Sequence, residues 1–191
     1  MTSTTPNRTS VAEQARLVDG ESTDNQEPAW WTLVLANNGR RVAWIQAGTL
    51  AIVASIWCLV LYSTGGKVPF ALYHPLFVSL GLLLLIQGVL VLQPTQSQPA
   101  KKVGLQAHQI FVLFLGLPLL TLGVWIMWHA HSQPGAKHFI SLHGILGVVL
   151  LVLLWLQAVF GISTVWGDGQ VYGSSAKAKS LWKYHRYGDV H

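Results

Sequence analysis

Four apolar segments, each long enough to cross a lipid bilayer as a helix, constrain this chain more than any other feature. They cover about residues 42–63, 71–92, 103–128 and 139–164. A helix that crosses the hydrocarbon core needs about 20 mainly apolar residues, because no water is there to satisfy its backbone. We therefore expect an all-α membrane protein in which four spans form a helical transmembrane bundle.

The charged residues are few and clustered. They make up 10% of the 191 residues, whereas a soluble domain carries about 25%. None lies between Lys102 and Lys137, or between Lys137 and Asp168. The basic residues lie in short loops, where they orient a membrane protein. The net charge of +5 therefore does not indicate nucleic acid as a partner; the lipid bilayer is the expected surrounding.

The segments around the spans divide the chain into three regions. Residues 1–28 are polar and lack the apolar stretch of a signal peptide, so we expect a disordered N-terminus. Residues 29–41 hold a short apolar patch that is typical of an interfacial segment. Residues 42–191 form the transmembrane domain. Within the third span, Pro118 predicts a kink.

The distribution of Lys and Arg predicts the orientation of the bundle. One side would carry two basic residues, Lys67 and Lys137, and the other side ten. Because cytosolic loops are enriched in Lys and Arg, the ten-residue side and the N-terminus are expected in the cytosol. The ten are Arg8, Arg16, Arg40, Arg41, Lys101, Lys102, Lys177, Lys179, Lys183 and Arg186.

Four histidines lie at or near the ends of the spans, where they can meet in two pairs. An ionisable side chain in a bilayer is costly, which makes each one a candidate functional residue. His74 and His143 lie near the outer ends of two inward-running spans and share a depth. His108 lies about two turns from the inner end of span 3. His185 would begin a fifth, outward-running helix and is the best candidate to face His108.

Two imidazoles are good axial ligands for haem iron. They fill both axial positions, so such an iron would pass electrons and would not bind a reactant. The spacing therefore predicts two haem sites, one near each membrane surface. Gly81 and Gly88 share the helix face of His74, and Gly144 and Gly147 follow His143. These glycines could admit either a macrocycle or a neighbouring helix.

The sequence around these histidines resembles the cytochrome b561 family. The matching segments are LYHPLFVSL, LQAHQIFVL, GAKHFISLHGILG and KSLWKYHRYG. The resemblance implies a six-helix bundle with two b-type haems, held by His74 with His143 and by His108 with His185. It also implies electron transfer from cytosolic ascorbate to a non-cytosolic acceptor, either ferric iron or monodehydroascorbate, and possible assembly as a homodimer.

The resemblance further implies roles for residues beside the haems. Lys101, Lys102 and Arg186 would lie on the ascorbate side, with orientation of the bundle alone as the other interpretation. His129 would serve on the acceptor side. His138, in the same outer loop, is a second acceptor-side candidate, because clustered histidines favour transition metals; a solvated loop histidine is the alternative.

The resemblance covers four of the six helices of the family fold. We therefore expect a chain that is truncated before the fifth helix, which leaves the inner haem site and the activity open. One alternative is a non-catalytic or single-haem membrane subunit that needs a partner. Another is a quinol-linked cytochrome b that anchors a larger complex.

Overall fold

The computed structural model describes residues 29–35, 40–93 and 97–185. These residues are helical almost throughout and contain no strand. The predicted disordered segment, residues 1–28, lies outside the described residues. Within these ranges, four helices are long and apolar enough to cross a membrane, and we number them spans 1 to 4. They are Val42–Ser63, Phe70–Leu90, Gln98–Ala130 and Leu142–Val165. The predicted all-helical, multi-pass membrane fold is confirmed.

Serine caps set the first turns of spans 3 and 4 at residues that hydropathy did not predict. Span 3 begins before residue 103, because the Ser97 hydroxyl accepts the N–H of Ala100 at 3.3 Å. Span 4 begins after residue 139, because Phe139 has a left-handed φ of 57°. The Ser141 hydroxyl then accepts the N–H of Gly144 at 3.1 Å. Such caps satisfy backbone donors that the first helical turn leaves free.

Span 3 contains an irregular middle section. It is α-helical over Gln98–Gln109, π-helical over Ile110–Gly116 and α-helical again over Leu117–Ala130. A π-helix bonds each N–H to the carbonyl five residues back and so accommodates one extra residue. The sequence predicted an irregularity at Pro118. The structure places it immediately before this proline, whose ring crowds the carbonyl one turn earlier.

Spans 2 and 3 are packed backbone against backbone. A Cβ atom on Gly81 would lie 2.9 Å from Cγ of Leu120, and one on Gly116 would lie 2.9 Å from Cδ2 of Leu85. No larger residue fits at either position without a shift. Small residues at such contacts let transmembrane helices approach closely. For Gly81, the structure therefore favours helix contact over contact with a macrocycle.

Spans 1 and 4 flank this central pair and expose most of their apolar side chains. Only 6% of the most apolar part of each is buried within the protein, which suits a lipid-facing surface. Side-chain hydrogen bonds connect them to the central pair. They run from Trp57 Nε1–H to Ser79 Oγ at 3.1 Å, from Gln46 Nε2–H to Gln87 Oε1 at 3.1 Å, and from Trp155 Nε1–H to Thr121 Oγ1 at 3.0 Å.

A short helix precedes span 1 in the region predicted to be interfacial. It covers Trp30–Leu35. Its Leu33 side chain is buried against Ala100 and Val103, near the start of span 3. The part of the predicted interfacial segment at residues 29–35 therefore packs on the bundle, at the end where span 2 finishes and span 3 begins, and residues 36–39 lie outside the described residues.

The C-terminal part of the described chain folds back along span 4. A 3-10 helix covers Trp166–Tyr172, and Gly173 reverses the chain with a φ of 78°. A helix then covers Ser175–His185. Its Trp182 Nε1–H donates to the carbonyl of Thr164 at 3.4 Å. The helix thus runs antiparallel to span 4, which is the direction expected for a fifth helix. It begins at Ser175, however, and His185, the residue expected to begin it, is the last residue of its range.

The bond between Trp57 and Ser79 can be tested by substitution. Ser79 is buried, and Ser79→Ala leaves the indole N–H of Trp57 without its acceptor. We expect a loss of about 0.6–2 kcal/mol in the free energy of unfolding, measured in detergent or bicelles. Ser55→Ala is the matched control, because the Ser55 hydroxyl is exposed and bonds only to Ala51 of its own helix. Equal losses in both variants would contradict this role for the interhelical bond.

Candidate functional site

The first histidine pair joins the beginnings of spans 2 and 4. The ring centroids of His74 and His143 lie 6.1 Å apart, with their planes at 88°. Nδ1–H of His74 donates to the carbonyl of Gly123 in span 3, at 2.9 Å. A carbonyl can only accept, so this bond assigns the proton to Nδ1. The Nε2 lone pair of His74 is then available to a metal.

The second pair joins span 3 to the C-terminal helix. The ring centroids of His108 and His185 lie 6.3 Å apart, with their planes at 85°. Nδ1–H of His108 donates to the carbonyl of Gly88 in span 2, at 2.8 Å. Nε2 of His108 is therefore available in the same way. The structure thus brings together the two histidine pairs that depth matching had predicted.

Both separations suit a single metal atom between two imidazoles. Two metal–nitrogen bonds of about 2.0–2.1 Å, together with the ring radii, place the centroids roughly 6.3 Å apart. Two side chains alone are too few ligands for a protein-bound transition metal. Among the described residues, no three His, Cys, Asp or Glu side chains converge on one point. A macrocycle that supplies the other four donors, as haem does, fits this two-imidazole set.

A cavity of about 400 Å³ lies beside the first pair, and its walls are almost entirely apolar. It is bounded by spans 2, 3 and 4 and by the loop before span 4. Gly144 and Gly147 line it, and a Cβ on Gly147 would meet no atom within 4 Å. These two glycines therefore leave space, unlike Gly81, which packs on a helix. An apolar slot with two converging imidazoles is suited to a flat, hydrophobic cofactor.

The second pair lies in a more enclosed setting. The His185 ring rests on Gly161 of span 4, where an added Cβ would lie 2.6 Å from Cε1. Of the described residues, His185 is the one with a buried side-chain nitrogen, Nδ1, that has no hydrogen-bond partner. Burial lowers the pKa of the His185 imidazole, and the nearby His108 lowers it further. Both effects favour the neutral imidazole, which is the form that binds a metal.

The two acceptor-side candidates occupy different surroundings. His129 stacks on Trp125 at 5.6 Å and meets Phe70 edge-on, and it does not line the cavity. His138 stacks on Trp128 at 4.2 Å and lines the cavity. His131 lines it too, with Nδ1–H donating to the Met127 carbonyl at 2.9 Å.

The basic candidates for the opposite surface are only partly described. Lys101 and Lys102 are exposed in the first turns of span 3. Lys101 precedes His108 by seven residues and so shares its helix face. Arg186 lies outside the described residues.

Sequence reasoning did not anticipate three glycines that contact the histidines. Gly123 and Gly88 accept the Nδ1 protons of His74 and His108 through their carbonyls. Gly161 makes room for the ring of His185. Gly88 was noted only as a small residue on the face of His74. The spacing of Gly88 from His74 predicted that it packs against another helix. It did not predict that the Gly88 carbonyl accepts a hydrogen bond from His108 in span 3.

A comparison with protein families identifies most of this region. The family model for eukaryotic cytochrome b561 matches residues 73–188, which is more than half of the chain and includes all four paired histidines. No curated protein and no solved structure matches the chain significantly. The family binds b-type haem and transfers electrons across membranes.

The contact between Gly161 and His185 predicts a selective defect. In Gly161→Ala, the new methyl group would displace the His185 ring from its position facing His108. We expect loss of about half of the haem absorbance, with the remainder unaffected. Gly48→Ala in span 1 is the control, because a Cβ there meets no atom within 4 Å. Full haem content in Gly161→Ala would contradict the assignment of His185 to a haem site.

Proposed function

The chain belongs to the eukaryotic cytochrome b561 family, and on that premise we propose that it carries electrons across the membrane through two b-type haems. His74 and His143 would hold the outer haem, and His108 and His185 the inner one. Family membership implies transmembrane, haem-based electron transfer. The number of haems, their ligands, the electron donor and the acceptor are the proposal.

The observation that supports two haems most directly is the matched geometry of the two pairs. Each pair separates its ring centroids by 6.1–6.3 Å with the planes nearly perpendicular. In each, one ring donates its Nδ1 proton to a glycine carbonyl and keeps Nε2 for the metal. Haem bound there supplies one-electron redox chemistry. The chain's part is to hold and orient both axial imidazoles.

The reductant side would be the surface at which span 3 begins. Lys101 and Lys102 are exposed there, two turns before His108. Their positive charges favour an anionic reductant, and ascorbate is an anion at neutral pH. This surface would be cytosolic, in agreement with the excess of Lys and Arg on that side of the sequence.

The acceptor side would be the opposite surface, at the mouth of the outer cavity. His138 and His131 line that cavity close to His143. Imidazole nitrogens bind transition-metal ions, so these residues favour ferric iron as the acceptor. His129 does not line the cavity and would act indirectly, through Trp125, on which it stacks. Monodehydroascorbate is the other acceptor that the proposal includes.

Single histidine substitutions test the ligand assignments. We expect the purified protein to contain two b-type haems per chain, and His74→Ala and His108→Ala to contain one each. In His108→Ala, ascorbate should not fully reduce the one haem that remains, because the inner site that would receive its electrons is lost. His129→Ala, which changes a histidine outside both pairs, should retain two haems. A ratio of one haem per unmodified chain would refute the two-haem proposal and favour a single-haem subunit.

Charge removal tests the reductant site. Lys101→Gln should raise the KM for ascorbate roughly two- to fivefold, as expected for loss of one exposed charge contact. Lys102→Gln should have a smaller effect, because Lys102 lies six residues before His108 and points to a different side of the helix. The reduction kinetics should depend on salt for the unmodified protein. If quinol reduces the haems and ascorbate does not, this surface is not an ascorbate site.

A further inference from the structure

Spans 2 and 3 carry the same pattern of residues. In each span the pattern starts at a paired histidine, continues with valine, glycine and leucine, and ends with a second glycine, all on one helix face. In span 2 the residues are His74, Val78, Gly81, Leu85 and Gly88; in span 3 they are His108, Val112, Gly116, Leu120 and Gly123. The two helices run in opposite directions, so they form an inverted repeat.

The contacts across the repeat are reciprocal. The histidine of each helix donates Nδ1–H to the terminal glycine of the other, at 2.9 Å for His74 to Gly123 and 2.8 Å for His108 to Gly88. A Cβ on Gly123 would lie 2.6 Å from Cγ2 of Val78. A Cβ on Gly88 would lie 2.7 Å from Cγ2 of Val112. Each valine therefore packs directly onto the glycine whose carbonyl orients the histidine one turn earlier.

The repeat is not uniform in sequence, because span 3 has one additional residue. Gly88 follows His74 by 14 residues, whereas Gly123 follows His108 by 15. The extra residue falls between Val112 and Gly116, inside the π-helical segment Ile110–Gly116. In an uninterrupted α-helix, one extra residue would rotate everything after it by about 100°. The π segment absorbs this residue and keeps Gly116 and Gly123 facing span 2.

We propose that Gly88 and Gly123 are positioning residues for the two haem ligands, and that the π segment sets the register that places them. Each glycine lets the partner helix approach until its carbonyl reaches an imidazole Nδ1–H. That bond fixes the tautomer and ring orientation and makes Nε2 a stronger donor. The inference rests on the proposed function for the identity of the ligands. It adds that the two sites are oriented by one symmetric helix–helix contact.

Changing the side-chain sizes where Gly123 meets Val78 tests the proposal on the full chain. Gly123→Ala should push Val78 away and lengthen the bond to His74. We expect outer-haem affinity to fall roughly 10- to 100-fold. Any outer haem that remains should shift to a more positive midpoint potential. Val78→Ala/Gly123→Ala should restore both the affinity and the potential, because the smaller side chain gives the added methyl group room.

A matched control separates this specific contact from general loosening of the bundle. Val112→Ala creates the same space at the other end of the repeat, so Val112→Ala/Gly123→Ala should not restore the outer haem. The thermal stability of the haem-free variants should follow the same order. The proposal is overturned if Gly123→Ala leaves outer-haem affinity and potential unchanged, or if Val112→Ala rescues as well as Val78→Ala. Unmodified protein without haem would instead overturn the proposed function itself.

Single-residue deletions test the register without relying on a clash. Deleting Leu113 should convert the π segment to α-helix and leave span 3 with the 14-residue spacing of span 2. Both haems should then be retained. Deleting Leu83 from the regular span 2 should turn Gly88 away from His108 and remove the inner haem. Equal loss from both deletions would overturn the role of the π segment.

Discussion

Imidazoles embedded in a bilayer need partners inside the protein, and this requirement shapes the bundle. Nδ1–H of His74 and of His108 lie within apolar spans, where a polar group without a partner is costly. Both protons are accepted by glycine carbonyls of the facing helix, at 2.9 and 2.8 Å. Carbonyls of a regular helix are within reach only when the two backbones are very close. The close packing of spans 2 and 3 and the orientation of the histidines are therefore one structural feature.

The second histidine of each pair is supplied in a different way. His143 comes from the first turn of span 4 and is exposed beside an open cavity. His185 comes from a helix that returns along span 4 after the reversal at Gly173. Its ring rests on Gly161, and its backbone carbonyl accepts Gln157 Nε2–H at 2.6 Å. The pair of His108 and His185 thus depends on the docking of the C-terminal helix, whereas the pair of His74 and His143 depends on the spans alone.

Much of this arrangement could be predicted from the sequence, because it depends on length and depth. Hydropathy located four spans. The depths of His74, His108 and His143 within them, with His185 expected on the cytosolic side, were enough to pair the histidines. Spans 3 and 4 start at other residues than predicted, because the Ser97 and Ser141 caps act through local hydrogen bonds. Hydropathy is averaged over many residues and does not detect such bonds. The π segment was missed, since one extra residue is invisible until spans 2 and 3 are compared. Gly161 was missed because its contact with His185 depends on how the chain reverses after span 4.

The inverted repeat also limits where differences between the two proposed haem sites can arise. His74 and His108 have the same hydrogen-bond partner type at nearly the same distance, and the same valine one turn later. These shared contacts would act in the same direction on the Nε2 nitrogens of the two rings. The clearest difference between the two pairs lies at the second histidine of each. His143 is exposed, and His185 is half-buried with lowered pKa. An asymmetry that drives electrons in one direction would thus arise on span 4 and the C-terminal helix.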